Sequence, residues 1–455
     1  FGAVGDGKTL DHGAINRAID SCVANGGGRV VLPAGTYLCG SIRMKSDVEL
    51  HISAGATILA APGSMKAYDE SEPWEGPAYQ DGGHTYFHNS LIWAVGQKNV
   101  SITGRGMIDG KGLTKKDTEK GGNLQGGSIG TGDKAIALKE CRNVLIRDIT
   151  IFRGGHFAII MTGCDLGTVD NVTIDTNRDG FDIDCCKYLT VSNCKINTPS
   201  DDALVLKSSY ALKRPVLCEH IAVTNCVITG YKMGTLLDGT YVPEKVNWVC
   251  GRFKLGTESN GGYRNIALSN CTFMYSSGLA FEEVDQGLME NVVVSNITMS
   301  HVHHYPIYIT TGCRNRGPKE RTTVSTGADI QISNVIADDV DSLAGIIVTG
   351  MPHQPLRNIA LNNIRITYRG GGTADLAKRE YREQGTNYPE PRFAGPTPAY
   401  GLYARHVDGL DINHVTFRTE RPDLRPAVML DDVKNESITD LKAPEVKGVK
   451  KIVKK

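Results

Sequence analysis

An imbalance of charge is the first thing this sequence lacks. Its 455 residues carry 50 Lys and Arg against 50 Asp and Glu, so the basic footprint of a general nucleic-acid binder is missing. A polyanionic substrate stays compatible, because a local basic cleft can sit on a neutral protein. No apolar run approaches the ~20 residues of a transmembrane helix, so no membrane span is expected. The twelve Cys form no CxxC pair and no His/Cys spacing of a zinc site, which argues against structural zinc. His301, His303 and His304 cluster without a matching carboxylate or Cys spacing, so no metal is assigned there. Several Cys recur at one point of a repeat and read as small buried packing residues; a disulfide or two stays open in an oxidising compartment. Long helical periodicity is also missing.

Glycine is what abounds, at 52 residues, well above the ~7% average. The chain needs many tight turns. Length alone suggests about three domains, but internal repetition overrides that count. The phrases RNVLIRDITIF (142–152), KYLTVSNCKI (187–196), EHIAVTNCVI (219–228), RNIALSNCTF (264–273), ENVVVSNITM (290–299) and RNIALNNIRI (357–366) are versions of one unit. Each holds short Val/Ile/Thr-rich runs of period two, bounded by Asn, Gly and Asp turns. One such unit cannot bury its apolar face, whereas stacked units can. The pattern predicts an all-β parallel β-helix, with the recurring turn Asn placed to hydrogen-bond along a ladder.

At the N-terminal end, LDHGAINRAIDSCVANGG (10–27) has helical spacing through Ile15, Ala18, Ile19 and Cys22. A short helix there would cap the open end of the solenoid. The expected organisation is one catalytic domain over 1–455: cap and first coils at 1–60, an inserted loop at 368–400, and a Lys-rich solvated tail at 442–455.

The densest chemical signal lies between Asn177 and Lys207. Asn177-Arg178-Asp179-Gly180 closes one repeat, and Asp201-Asp202 opens another 22 residues after Asp179. That separation is close to one coil, so the two clusters should share a face on adjacent rungs. Asp is common in turns for backbone reasons alone, but Asp182 and Asp184 add further charge at the same rung. Crowded carboxyls push one pKa up while neighbours stay ionised. Glycoside hydrolysis needs that division, with one acid for the leaving oxygen and one base for water.

The runs TNRDGFDIDCC, NTPSDDALVLKSS and FKLGTESNGGYRNI, with the opening FGAVGDGKTLDHGAINRAID, resemble the polygalacturonase family, glycoside hydrolase family 28. The resemblance covers nearly the whole chain. It implies a right-handed, pectin-lyase-like β-helix and an inverting hydrolase without metal or other cofactor. By the match of motifs, Asp201 would be the general acid, and Asp179 and Asp202 would hold the attacking water. Asn177 and Arg178 complete the first motif.

Departures from the family bear on substrate. Its Gly-His-Gly motif is replaced by Cys250-Gly251-Arg252-Phe253-Lys254, and its Arg-Ile-Lys by Ala280-Phe281-Glu282-Glu283. Two acids would repel a uronate on the leaving-group side, so a neutral sugar such as rhamnose fits better there. Lys207, His156, Arg252 and Lys254 are the candidate ligands for a uronate elsewhere. In the 368–400 loop, Tyr388, Arg392, Phe393 and Tyr400 could stack on sugar and wall off one end of the groove, favouring exo action.

The expected function is therefore that of an exo-acting galacturonidase on rhamnogalacturonan-type pectin. Exo-polygalacturonase, pectate lyase using Ca²⁺ and a non-catalytic carbohydrate-binding β-helix are the competing readings. The partner is a pectic polysaccharide or oligosaccharide, the chain a monomer, and the location, following the polymer, secreted or periplasmic.

Overall fold

The computed structural model describes residues 1–76, 81–114, 129–245 and 248–455. Its coils each carry short strands on three faces, and every strand lies parallel to its counterpart one coil away. Phe157–Thr162 pairs with Asp179–Asp184, which pairs with Leu204–Ser208. A second face stacks Arg142–Arg147, Asp165–Asp170, Lys187–Ser192 and Cys218–Thr224. The third stacks Thr150–Phe152, Thr173–Asp175, Lys195–Asn197 and Val227–Thr229. Thirty-two described strands join in this way. The molecule is the parallel β-helix that the repeats predict.

Alternation along each strand sends one residue in two to the interior. On the first face Ile136, Ile159, Phe181, Leu204, Phe253 and Leu279 follow one another in register, and all are buried. The turns are set by residues that tolerate a left-handed backbone. Asn270, Asn296, Asn334 and Asn363 have φ of 54°, 57°, 55° and 49°. Their amides form the expected ladder: Asn296 donates to Asn270 at 3.0 Å, Asn334 to Asn296 at 3.0 Å and Asn363 to Asn334 at 2.8 Å. All twelve cysteines are free thiols. Cys141, Cys164, Cys186 and Cys218 fill one position of successive coils, immediately before or at the start of paired strands.

Helix α1, His12–Ala24, buries Ala14, Ile15 and Ile19 over the first coils, as the spacing predicts. No helix among the described residues is long and apolar enough to cross a membrane. The C-terminal end differs from expectation. Within the Lys-rich tail, Ile452–Lys454 forms a strand paired with Val428–Leu430; Ile452 packs against the core while Lys454 stays exposed. The insertion after Gly370 contains two short helices, Ala374–Ala377 and Pro391–Ala394. It docks through Tyr381, Ala394 and Ala399 on Tyr305, Tyr308 and Tyr403. That places it along the outer side of the first face.

Candidate active site

The acids collect on the outer side of that first face. In Asp179–Asp184 the alternate residues Phe181 and Ile183 enter the core, which leaves Asp182 and Asp184 facing outward. Gly180, between Asp179 and Phe181, is required there: a Cβ would lie 2.5 Å from the Ala203 carbonyl oxygen. The absent side chain lets the next coil come close enough for Gly180 N–H to donate to the Asp202 carbonyl at 3.0 Å. Asp179 and the Asp201-Asp202 pair are thereby neighbours on adjacent rungs, as their spacing predicts.

Each of the three acids has a different electrostatic environment. Burial, then the charge of Asp201, pushes Asp179 well above the ordinary carboxylate range, and its Oδ1 is buried without a hydrogen-bond partner. Burial would also raise Asp202, but Arg252 and Lys254 hold it well below the usual value. Arg252 Nε donates to Asp202 at 2.5 Å, and Lys254 Nζ lies 3.6 Å away. Asp201 accepts from Arg178 Nη1 at 2.7 Å and is partly exposed. One acid pushed up beside one held down is the division that acid–base chemistry uses.

Arg252 and Lys254 were expected to meet substrate. Both are instead almost fully buried and spend their donors on protein. Arg252 also binds Glu390 at 2.6 Å and the Tyr305 hydroxyl at 2.5 Å. Lys254 lies 3.2 Å from Glu282, whose carboxyl burial raises to about 7, against the pull of Lys254. Glu283 does not share the cleft with Glu282. Strand alternation puts it with Leu279 and Phe281, where it accepts from Gly287 N–H at 2.9 Å, and burial pushes it up to about 8.

Lys207, also buried, lies 3.1 Å from Glu258 and 3.6 Å from Asp182. Burial raises Asp182 to about 6, with Lys207 and His84 opposing. His84 sits between Asp182 and Asp184, at 3.8 and 3.7 Å. Asp184 is tied down by Ser209, whose hydroxyl donates at 2.6 Å. His156 is engaged by Asp81 at 2.7 Å, and Asp81 also lies 3.9 Å from Arg178. Asn177 accepts from Ser200 at 3.0 Å.

The insertion contributes unevenly. Tyr388 reaches the cleft, its hydroxyl 3.2 Å from that of Thr257. Arg392 is exposed and lies over the Trp248 ring at 4.2 Å. Tyr400, expected against sugar, is instead buried in the core beside Tyr368, because it lies where the chain re-enters the solenoid. Asp81, His84, Glu258, Tyr305 and Glu390 escaped the sequence reading. Glu258 stood inside the FKLGTESNGG run and was legible there. Ligand atoms of Asp201, Asp202 and Cys250 approach within 4.8 Å of one another, but Arg178, Arg252 and Lys254 already neutralise that spot, a poor donor set for a cation.

Residues 22–231 match the glycosyl hydrolases family 28. An exo-poly-α-D-galacturonosidase of Dickeya chrysanthemi is 27% identical over 249 residues, 44% of this chain and 40% of its own length. An exopolygalacturonase of Platanus acerifolia is 22% identical over 82% of this chain and 90% of its own. The solved family 28 exopolygalacturonase of Yersinia enterocolitica superposes with a TM-score of 0.71 at 20% identity, covering 98% of this chain and 78% of the other. This chain thus spans less than half of the Dickeya protein while sharing the β-helix fold along its whole length. Over residues 22–231 this chain is similar to family 28 of the glycosyl hydrolases.

Proposed function

We propose that residues 1–455 act as one inverting hydrolase of α-galacturonosidic bonds in pectin, releasing galacturonate from a chain end of rhamnogalacturonan. The observation that carries the reading is the contrast between Asp179, pushed up by burial, and Asp202, held down by Arg252 and Lys254. Asp201 protonates the leaving oxygen, and Asp179 and Asp202 steer water to the opposite face of the sugar. The acid and base of an inverting site stand about 6.5–9.5 Å apart to admit that water.

Substrate preference follows from the neighbouring rung. Lys254 is shared between Asp202 and Glu282, so the leaving-group side offers no uncommitted charge for a uronate from that lysine. A neutral sugar fits. The names of the Dickeya and Platanus relatives favour homogalacturonan instead, with exo action in common. The enzyme acts as a monomer outside the cytoplasm, where pectin lies.

Products from homogalacturonan and from rhamnogalacturonan oligosaccharides, read by reducing ends and ultraviolet absorbance together, test this. Free galacturonate from the second alone, without an ultraviolet signal, is the expected result. Release from homogalacturonan would move the leaving-side assignment. Unsaturated product lost on chelation would replace hydrolysis by β-elimination, and binding without product would leave a non-catalytic β-helix.

A further inference from the structure

The residue paired with Asp201 raises a problem for an acid catalyst. A guanidinium at 2.7 Å suits an ionised carboxylate, yet Asp201 must carry a proton when the leaving oxygen needs one. Asp201 is also the most accessible of the three acids, with about a quarter of its side chain exposed, and Arg178 matches it at 22%. The neighbouring cations Lys207, Arg252 and Lys254 are buried and engaged by Glu258, Asp182, Asp202, Glu390 and Glu282. Arg178 differs from them in being partly exposed while it pairs with Asp201. It also faces Asp81, which His156 holds from the other side.

We infer that Arg178 is a specificity-determining switch: the carboxylate of a bound galacturonate draws its guanidinium away from Asp201, and Asp201 then takes up the proton it delivers. This rests on the galacturonide reading above and adds how the uronate is recognised. The proton comes from Asp179, whose neighbours are Asp201, Lys207, Arg178 and Asp202. Around Asp201 stand Arg178, Asp202 and Cys250. When Arg178 leaves, Asp201 loses the cation that favoured its negative charge, and the charge passes to Asp179 as the proton moves, where Lys207 favours it.

The bookkeeping of atoms closes. Asp179 gives up its proton by way of the cleft water, and Asp201 gains one. As the bond from the anomeric carbon to the leaving oxygen breaks, its electron pair goes to that oxygen, which takes the proton of Asp201. The water oxygen bonds to the anomeric carbon from the opposite face, and its proton returns to Asp179. Asp202 stays anionic throughout. Departure of galacturonate lets Arg178 pair with Asp201 again. A neutral sugar in the same place leaves the ion pair intact and Asp201 without its proton, so discrimination appears in kcat rather than in KM.

Two disaccharides alike except for one carboxylate, galacturonosyl-rhamnose and galactosyl-rhamnose, test the switch. Wild type should prefer the first in kcat by about 10²–10⁴, the range of lost acid catalysis. Arg178→Gln should lower the uronate rate and raise the neutral-sugar rate several-fold, and Arg178→Lys should fall between. A neutral-sugar rate that is unchanged or lower in Arg178→Gln overturns the switch, leaving a clamp or a structural residue. Infrared difference spectra decide the question without turnover. Adding galacturonate, but not galactose, should exchange a protonated-carboxyl band absent from Asp179→Asn for one absent from Asp201→Asn. An unmoved band overturns the inference, whereas wild-type silence on both disaccharides sinks only the galacturonide reading.

Discussion

Arg252 joins two acids that lie far apart in the chain: its Nε holds Asp202 at 2.5 Å and its Nη2 holds Glu390 at 2.6 Å. All three side chains are buried. The insertion is thus joined to the Asp202 carboxylate through the Arg252 guanidinium.

Removing that guanidinium strands two buried carboxylates. Arg252→Met should cost about 3–5 kcal/mol, the scale of a broken buried pair, read by chemical denaturation at pH 7. The surviving activity should show an acid limb displaced to higher pH, because Asp202 loses the charge that holds it down. Stability close to wild type would mean that the pair is worth little. Glu390→Gln keeps the shape of the contact and should shift the limb less.

Asp179→Asn, Asp201→Asn and Asp202→Asn should each lower kcat by about 10²–10⁴ while the fold persists, as expected for lost acid–base help. Steady-state rates with a thermal melt alongside check this. A variant retaining most of its rate removes that residue from the chemistry.

Stability should fall as pH rises from about 5 to 8. Burial holds Asp182, Glu282 and Glu283 protonated up to about 6, 7 and 8. A carboxyl with a raised folded pKa stabilises most below its unfolded value near ~4 and loses that contribution as pH climbs through the folded one, at up to about 1.4 kcal/mol per pH unit for each proton. Asp202 and Glu258 act in the opposite sense, losing their contribution only in acid, below about pH 4. Melting temperature against pH tests this. Glu283→Gln should flatten the upper part of the decline, and an unchanged profile would remove Glu283 as its source.

The Asn ladder allows a test of backbone against side chain. Asn334 has φ of 55° and both accepts from Asn363 and donates to Asn296. Asn334→Ala loses the hydrogen bonds and keeps the left-handed strain, for a cost of about 2 kcal/mol. Asn334→Gly relieves the strain and should cost about 1 kcal/mol less. Equal losses in denaturant would assign the whole effect to the ladder.

Much of this was legible in the sequence because a solenoid repeats its instructions. The turn Asn, the β-branched runs and the near-coil spacing of Asp179 and Asp201 recur within short windows, and each maps to a neighbouring rung. Glu390, His84 and Asp81 had no such signature. They reach the centre on loops, where three-dimensional proximity is unrelated to spacing along the chain. The same limit misled the reading of Arg252 and Lys254: their position on the face was right, but the partners that occupy them, Glu390 and Glu282, decide what they do. Glu283 was a matter of parity, since adjacent residues of a strand face opposite sides.

Register in this molecule is kept by rung rather than by distance along the chain. Leu204 lies opposite Phe253 just as Phe181 lies opposite Leu204, although a long excursion separates the first pair and a short one the second. Loops can therefore lengthen, shorten or be exchanged while the acids of the centre keep their mutual alignment. Such a scaffold separates what evolution may vary, the walls that choose a sugar, from what it must hold still.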